Sequence, residues 1–379
     1  MRIIRIGFLG LGTVGQAVVA LAAPFGPFAF ECKRALVRDA TRPRNVSLAL
    51  TTHPGDILDD PAIDVIVEVM GGQEPARTWI IQAMANGKKV VTANKEVMAY
   101  HGPELLQKSQ AYRTYLGYEA SVGGGIPILD ALRYHLNVAP IEEIYGVVNG
   151  TSNYLLNAME GGQDFDQALR KTQEAGYAEA DPRVDVEGHD AVRKLVLLTH
   201  LAFGRWYHPH SIPVHGLENW PVSLLKRLQR HGLGIRLNAV ARRNPSGAIA
   251  LGVAPMVMPS GHPLLTLRGA QNGVGLQTKA GSFWMDGPGA GGLATAMSIW
   301  ADIRRSQIQR ESEGFPLINP ETRPDPLNLP VVAITRDPDR PLAATEPLFQ
   351  WEPGLALYPG ALASAEGVVQ WMFYGNPAH

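Results

Sequence analysis

One cysteine stands in 379 residues. Cys32 alone cannot close an intrachain disulfide, so no disulfide framework holds this chain, and a reducing compartment suits it. Charge of one sign is not in excess either: 34 Lys and Arg face 35 Asp and Glu, for a formal net charge of −1. Proteins that hold nucleic acid or an anionic bilayer through a global field need a positive surplus, which is missing here. Long apolar runs are also missing. No stretch of about 18 apolar residues offers a membrane span. The opening MRIIRIGFLGLG is broken by glycines before it can serve as the apolar region of a secretory signal. No internal period of about 20 to 50 residues marks a repeat array. These absences predict a soluble cytoplasmic protein with no nucleic-acid or membrane partner. The length, with 45% hydrophobic residues, suffices for a large core and more than one domain.

What is present begins with alternation. Residues 2–9 read as a buried strand, and 10–15 as a glycine turn that leads into a helix from Gln16. A second strand follows at Cys32–Val37. IDVIVEV, residues 63–69, is the continuous apolar run of a parallel strand covered on both faces. Pro75–Asn86 reads as a helix with Gly87 at its C-terminal stop, and Lys89–Thr92 as another strand. Such alternation predicts a doubly wound α/β domain over residues 1–125. Beyond Gly125 the pattern becomes α+β with an antiparallel or mixed sheet, and residues 126–310 read as a second domain. Ala191, Leu195, Leu198 and Ala202 recur at helical spacing. Residues 311–379 are proline-rich and weakly periodic, an extension of unknown role in which VAIT and GVVQWMFYG read as strands or a subunit contact.

The glycine turn carries the first chemical signal. Gly10-Leu11-Gly12-Thr13-Val14-Gly15 is a GxGxxG directly after an apolar strand. Gly10 permits the tight turn, Gly12 lets backbone approach a pyrophosphate, and Gly15 allows close helix–strand packing. The amides of Thr13 and Val14 stand at the positive end of the helix dipole. A dinucleotide is the ligand this turn suits. At the end of the second strand, Arg38 with Arg42 and Arg44 favours the 2′-phosphate of NADP(H), whereas Asp39 favours the ribose hydroxyls of NAD(H).

Three further stretches are singled out. VVTANKEVMA places Lys95 just past a buried strand, where open α/β sheets bind ligands. YEASVGGGIPI holds three consecutive glycines beside Glu119, which suits either a tight hinge or a loop aiming carbonyls at a hard cation. GYAEADPRVDVEGHDAVRKL crowds Glu179, Asp181, Asp185, Glu187 and Asp190 ahead of Lys194. Asp190 and Lys194, four apart on a helix, share a face. With the loop acids Glu179 and Asp181 they predict a polar cup in which carboxylates hold an ammonium and a lysine passes a proton to or from a reacting oxygen. A solvated, salt-bridged helix start is the competing reading.

Taken in order, GLGTVG, EVMGGQEPA, GKKVVTANK, YEASVGGGIPI, NGTSNYLL, GYAEADPRVDVEGHDAVRKL and DGPGAGGLATA resemble homoserine dehydrogenase over about residues 1–305. The resemblance implies a Rossmann domain, then a substrate and dimerisation domain, with the helix near 289–305 returning to the first. It implies NAD(P)H-dependent reduction of aspartate 4-semialdehyde to homoserine, on the route to threonine, isoleucine and methionine, by a homodimer. By this likeness Lys194 is the acid/base and Lys95 lies near cofactor and substrate. Glu179 and Asp190 hold the amino acid, Asp185 supports them, and the backbone at Gly176 contacts ligand. Gly71 and Gly291 join the glycine turn in contacting the cofactor. Glu119, with the carbonyls of Val122, Gly124 and Ile126, forms a sodium site, which moves the reading of the glycine triplet from hinge to ion loop. No aspartokinase precedes these motifs, and the tail lacks the pattern of a regulatory ACT domain, so a monofunctional enzyme without threonine feedback through such a domain is expected. Residues 315–379 find no named counterpart in this likeness.

Two other classes compete. A semialdehyde dehydrogenase that forms an acyl intermediate needs a nucleophilic cysteine, and Cys32 sits in the second strand. A dinucleotide-binding sensor needs the glycine turn but not Lys194 with Glu179 and Asp190.

Overall fold

The structure, a computed structural model, describes residues 2–24 and 26–309, together with 324, 325, 327, 331–335, 349–352, 355–358 and 368–373. The chain divides into two compact units that interleave in sequence. Met1–Pro140, Val196–Pro209 and the segment that starts at Gly287 form the first. Ile141–Leu195, His210–Asp286 and the described residues beyond Arg323 form the second.

Six strands make the first sheet: β1 (Arg2–Leu9), β2 (Phe28–Leu36), β3 (Ala49–Thr51), β4 (Val65–Glu68), β5 (Lys89–Thr92) and β6 (Leu116–Gly117). Their order is β3-β2-β1-β4-β5-β6, and every neighbouring pair is parallel. The order reverses between β1 and β4, the switch point at which doubly wound sheets bind ligands. β4 is buried along its whole length, as its unbroken apolar run predicted. Ile4, Ile6, Phe8, Val65 and Val67 meet Ile299, Trp300 and Ile303 of the helix Gly292–Ser306 in this core.

Two helices depart from the sequence reading. The first begins at Thr13 rather than Gln16, so Gly15 lies inside it. A Cβ on Gly15 would stand 3.0 Å from the Gly10 carbonyl oxygen, so only glycine packs there without displacement. A helix over Lys95–Ala111 was not anticipated, because Pro103 interrupts its pattern. That proline has no N–H for the carbonyl four residues back. Trp206 Nε1 donates to the same Ala99 oxygen at 3.3 Å, and Gly102, which has no side chain, admits the indole.

The second sheet contains β7 (Ile141–Val147), β8 (Leu233–Arg243), β9 (Ile249–Pro259), β10 (Gln271–Thr278), β11 (Gly281–Pro288), β12 (Val331–Thr335), β13 (Phe349–Glu352), β14 (Leu355–Tyr358) and β15 (Val368–Phe373). The strand order is β11-β10-β7-β8-β9-β15-β12-β14-β13. β7, β8, β9 and β10 pair antiparallel, and β15 adds to β9 in parallel. VAIT and VVQWMF of the C-terminal segment are therefore strands β12 and β15, which continue the sheet past β9.

Candidate active site

In the second unit a hydrogen-bonded cluster forms where β7 runs into the helix Gly150–Glu160. Asn149 caps that helix, its Oδ1 accepting from Ser152 N–H at 2.8 Å. The other side of the same amide donates to Asp185 Oδ1 at 2.6 Å and Asp190 Oδ2 at 2.8 Å. Asp190 opens the helix His189–Phe203, and Lys194 follows one turn later on the same face. Lys194 Nζ lies 2.7 Å from Asp190 Oδ2 and donates to the Val148 carbonyl at 2.5 Å. The Lys194 side chain is 9% exposed and that of Asp190 1%. A charge pair this sheltered persists only when hydrogen bonds surround it, and Asn149 and Val148 supply them.

The loop ahead of this helix is shaped by backbone. Gly176 has φ +75°, with its N–H on the Gln173 carbonyl and the Tyr177 N–H on Thr172. This pair of bonds ends the helix Phe165–Glu174 and requires a residue that tolerates the left-handed region. Thr151 Oγ1 then donates to the Tyr177 carbonyl at 2.6 Å, tying the loop to the capped helix. Glu179 follows on an exposed stretch. Asp181 does not join the cup. It pairs with the exposed Arg183 at 2.5 Å, and that hydrogen bond pulls its carboxyl down to about 2. The expectation of two loop acids facing the helix is corrected to that extent, because an arginine two residues away is the nearer partner.

The first unit carries the dinucleotide elements. Gly10 has φ +98°, a turn that L side chains rarely adopt. Added Cβ atoms on Gly12, Gly71 and Gly291 would meet nothing within 4 Å, so these glycines leave open approach to backbone. The helix from Thr13 has no side-chain cap, which suits its N-terminal amides to phosphate oxygens. At the ends of β4 and β5 a buried polar group fixes the neighbouring loop. Glu68 accepts from Thr92 Oγ1 at 2.5 Å and Met70 N–H at 2.8 Å, while Asn94 donates to the Gly72 carbonyl at 2.7 Å. Burial pushes the Glu68 carboxyl up against these bonds. Asn94 also caps the helix that starts at Lys95, which is half-buried. Arg38 is exposed, and Asp39 beside it accepts from Thr41, a bond that lowers its carboxyl.

Glu119 is buried, at 1% exposure. Its carboxylate accepts from the N–H groups of Leu129 at 3.1 Å and Asp130 at 2.7 Å, the start of the helix Ile128–Tyr134. Burial, then the nearby Asp130 and Asp302, pushes its carboxyl well above the ordinary range. Gly123 and Gly124 have φ of +75° and +59°, so the glycine triplet does hold a conformation other residues resist. Elsewhere in the second unit, a cavity of about 470 Å³ is lined by Asn157, Glu160, Arg236 and Arg268 and contains none of the residues singled out above.

Models of two domains match the chain: homoserine dehydrogenase over residues 127–303, and the homoserine dehydrogenase NAD-binding domain over residues 10–119. The chain belongs to the homoserine dehydrogenase family. A homoserine dehydrogenase of Synechocystis is 41% identical over 314 residues, 79% of this chain and 72% of the relative. One of Pseudomonas aeruginosa is 32% identical over 379 residues, 97% of this chain and 86% of the relative. The crystal structure of a homoserine dehydrogenase from Thiobacillus denitrificans superposes with TM-score 0.85 at 31% identity and covers 99% of both chains. A hyperthermophilic archaeal homoserine dehydrogenase in complex with NADPH superposes with TM-score 0.68 at 25% identity, covering 81% of this chain and 98% of that one. The protein is therefore an NAD(P)-dependent oxidoreductase acting on the CH–OH group of homoserine, with a Rossmann-type domain and an antiparallel-sheet domain. Full-length coverage by the Pseudomonas and Thiobacillus proteins also corrects the expectation that residues 315–379 lack a counterpart.

Among the predicted site residues, Lys194, Asp190 and Asp185 come together in one cluster. No hydrogen bond among the described residues joins the Glu179 carboxylate to it. Asn149, the link between the two aspartates, was missed. It lies within NGTSNYLL, and its signal was an asparagine between a strand pattern and a helix pattern, the place of a helix cap.

Proposed function

We propose that Lys194 is the proton donor when the semialdehyde is reduced and the acceptor when homoserine is oxidised. The hydrogen-bonded set of Lys194, Asp190, Asn149 and Asp185 carries this reading. Asp190 and the Val148 carbonyl orient the amine, and shelter from solvent strengthens its pull on a nearby oxygen. Glu179 and Asp190 hold the substrate ammonium, Asp185 supports Asp190 through Asn149, and the backbone at Gly176 contacts ligand. Bound NADP(H) supplies or takes the hydride. Gly10, Gly12, Thr13, Val14, Gly15, Gly71 and Gly291 hold it, with Lys95 near its reacting end. Arg38 favours the 2′-phosphate, because the Asp39 carboxylate that would bind a ribose hydroxyl is engaged by Thr41. The chain acts as a cytoplasmic homodimer. Among the described residues, no helix is long and apolar enough to cross a membrane.

A sodium ion held by Glu119 and the carbonyls of Val122, Gly124 and Ile126 completes the reading. Charge supports it. Three buried or half-buried carboxylates, Glu119, Asp130 and Asp302, face two guanidiniums, Arg133 and Arg305, so the cluster is one positive charge short when ionised. Sodium and a proton then compete for the same carboxylate. Stabilisation by sodium should be largest at alkaline pH and fade as pH falls, as read by the melting temperature in sodium against choline chloride. The functional assay is homoserine oxidation with NADP or NAD in the same two salts. Faster turnover per substrate bound with NADP, and in sodium, is expected. Equal kcat/KM for both cofactors would sink the assignment to Arg38.

A further inference from the structure

The helix Gly292–Ser306 presents two faces to two different binding elements of the first unit. One face lies on the glycine-turn helix. A Cβ on Gly292 would stand 3.1 Å from the Thr13 carbonyl oxygen and 3.3 Å from Ala17 Cβ, so the two backbones nearly touch. Two turns on, Trp300 Nε1 donates to the Val18 carbonyl at 2.9 Å.

The other face lies on the loop from Glu119 to Ile126. Ser298 Oγ donates to the Gly124 carbonyl at 2.6 Å. Asp302 Oδ2 accepts the Glu119 N–H at 2.9 Å, and its Oδ1 accepts from Tyr115 Oη at 2.8 Å. Arg305 grips Asp130 through both guanidinium nitrogens. Ser298, Asp302 and Arg305 stand at i, i+4 and i+7, a single stripe of the helix. Ahead of the helix, Gly289 presses so closely on Gly124 that a Cβ there would sit 2.6 Å from its carbonyl carbon. The loop and Thr13 thus touch the same helix and the residues just ahead of it, on opposite sides.

We infer that this helix couples monovalent-cation binding at the loop to dinucleotide binding at the glycine turn, with Ser298 and Asp302 as positioning residues. The inference rests on the cation reading given above. A cation that draws in the Gly124 carbonyl and Glu119 moves groups bonded directly to Ser298 and Asp302, and the rigid helix carries that adjustment to its other face. Coupling of this kind is reciprocal: whatever factor sodium adds to dinucleotide affinity, the dinucleotide adds to sodium affinity.

The test is the NADPH dissociation constant by fluorescence titration, in sodium chloride and in choline chloride at equal ionic strength, with sodium binding followed separately by sodium-23 NMR linewidth. Sodium should tighten NADPH by about fivefold or more, the lower end of ordinary coupling between sites. In Ser298→Ala the ratio between the two salts should fall toward one, while affinity in choline stays at the native value. Asp302→Asn should do the same, and if its buried charge proves necessary for folding, the serine variant carries the test alone. Sodium that binds the native protein yet leaves NADPH affinity unchanged overturns the coupling and spares the cation site. A native ratio that survives in Ser298→Ala and in folded Asp302→Asn overturns the helix as its route. Absence of any sodium binding removes the cation reading and the inference together.

Discussion

Individual side chains decide most of the chemistry. Asn149 does two tasks with one amide: its oxygen caps a helix and its nitrogen holds Asp185 and Asp190 together. Asn149→Ser keeps a capping oxygen but loses the bridge. Stability should fall by about 1 to 3 kcal/mol, because the buried Asp190 carboxylate loses a donor, while kcat/KM for homoserine falls roughly 10- to 100-fold, the same loss read in the transition state. Unchanged kinetics would demote Asn149 to a cap. His200 offers a test of pH dependence. Burial, aided by Arg133, lowers its imidazole to about 4 from an ordinary 6.5. The unfolded chain therefore binds more protons than the folded one between those values, so stability present above about pH 6.5 is lost as pH falls toward 4. The loss approaches about 3 kcal/mol for this one group. Urea titrations at pH 7 and pH 5 should show it, and His200→Gln should flatten the slope.

At the scale of elements, two helices end in the same way for the same reason. Gly176 and Gly87 both have positive φ, both close the double hydrogen bond that ends a helix, and neither would bring an added Cβ within 4 Å of another atom. Alanine at either position should cost about 1 kcal/mol from backbone conformation alone. Only Gly176→Ala should also raise the homoserine KM, since Gly176 belongs to the proposed substrate loop. Equal KM values in the two variants would reduce Gly176 to a helix stop. Gly87 was legible as such a stop because an apolar periodic run precedes it. Strand β4 was legible from the apolar run over residues 63–69, and β1 and β5 from short apolar segments alternating with helix signals. Lys95–Ala111 was not, since Pro103 hides a helix whose freed carbonyl is satisfied by Trp206, a partner more than a hundred residues away. Asp190 and Lys194 were legible as an i, i+4 pair. The third member, Asn149, was not, because no sequence spacing reveals that 149 and 190 meet.

For the molecule as a whole, family membership and a full-length structural counterpart establish a homoserine dehydrogenase. Oxidation of homoserine releases a proton, and a lysine must be neutral to accept it. Its rate should therefore climb from neutral toward alkaline pH; a flat profile would argue against a titrating amine. The most direct measurement replaces that amine. In Lys194→Ala, homoserine turnover should drop by about 10² to 10⁴, the range for lost acid–base catalysis, with the NADPH dissociation constant unchanged and part of the rate restored by added methylamine. Turnover within a few fold of native, in a variant that still binds NADPH, would contradict the role given to Lys194.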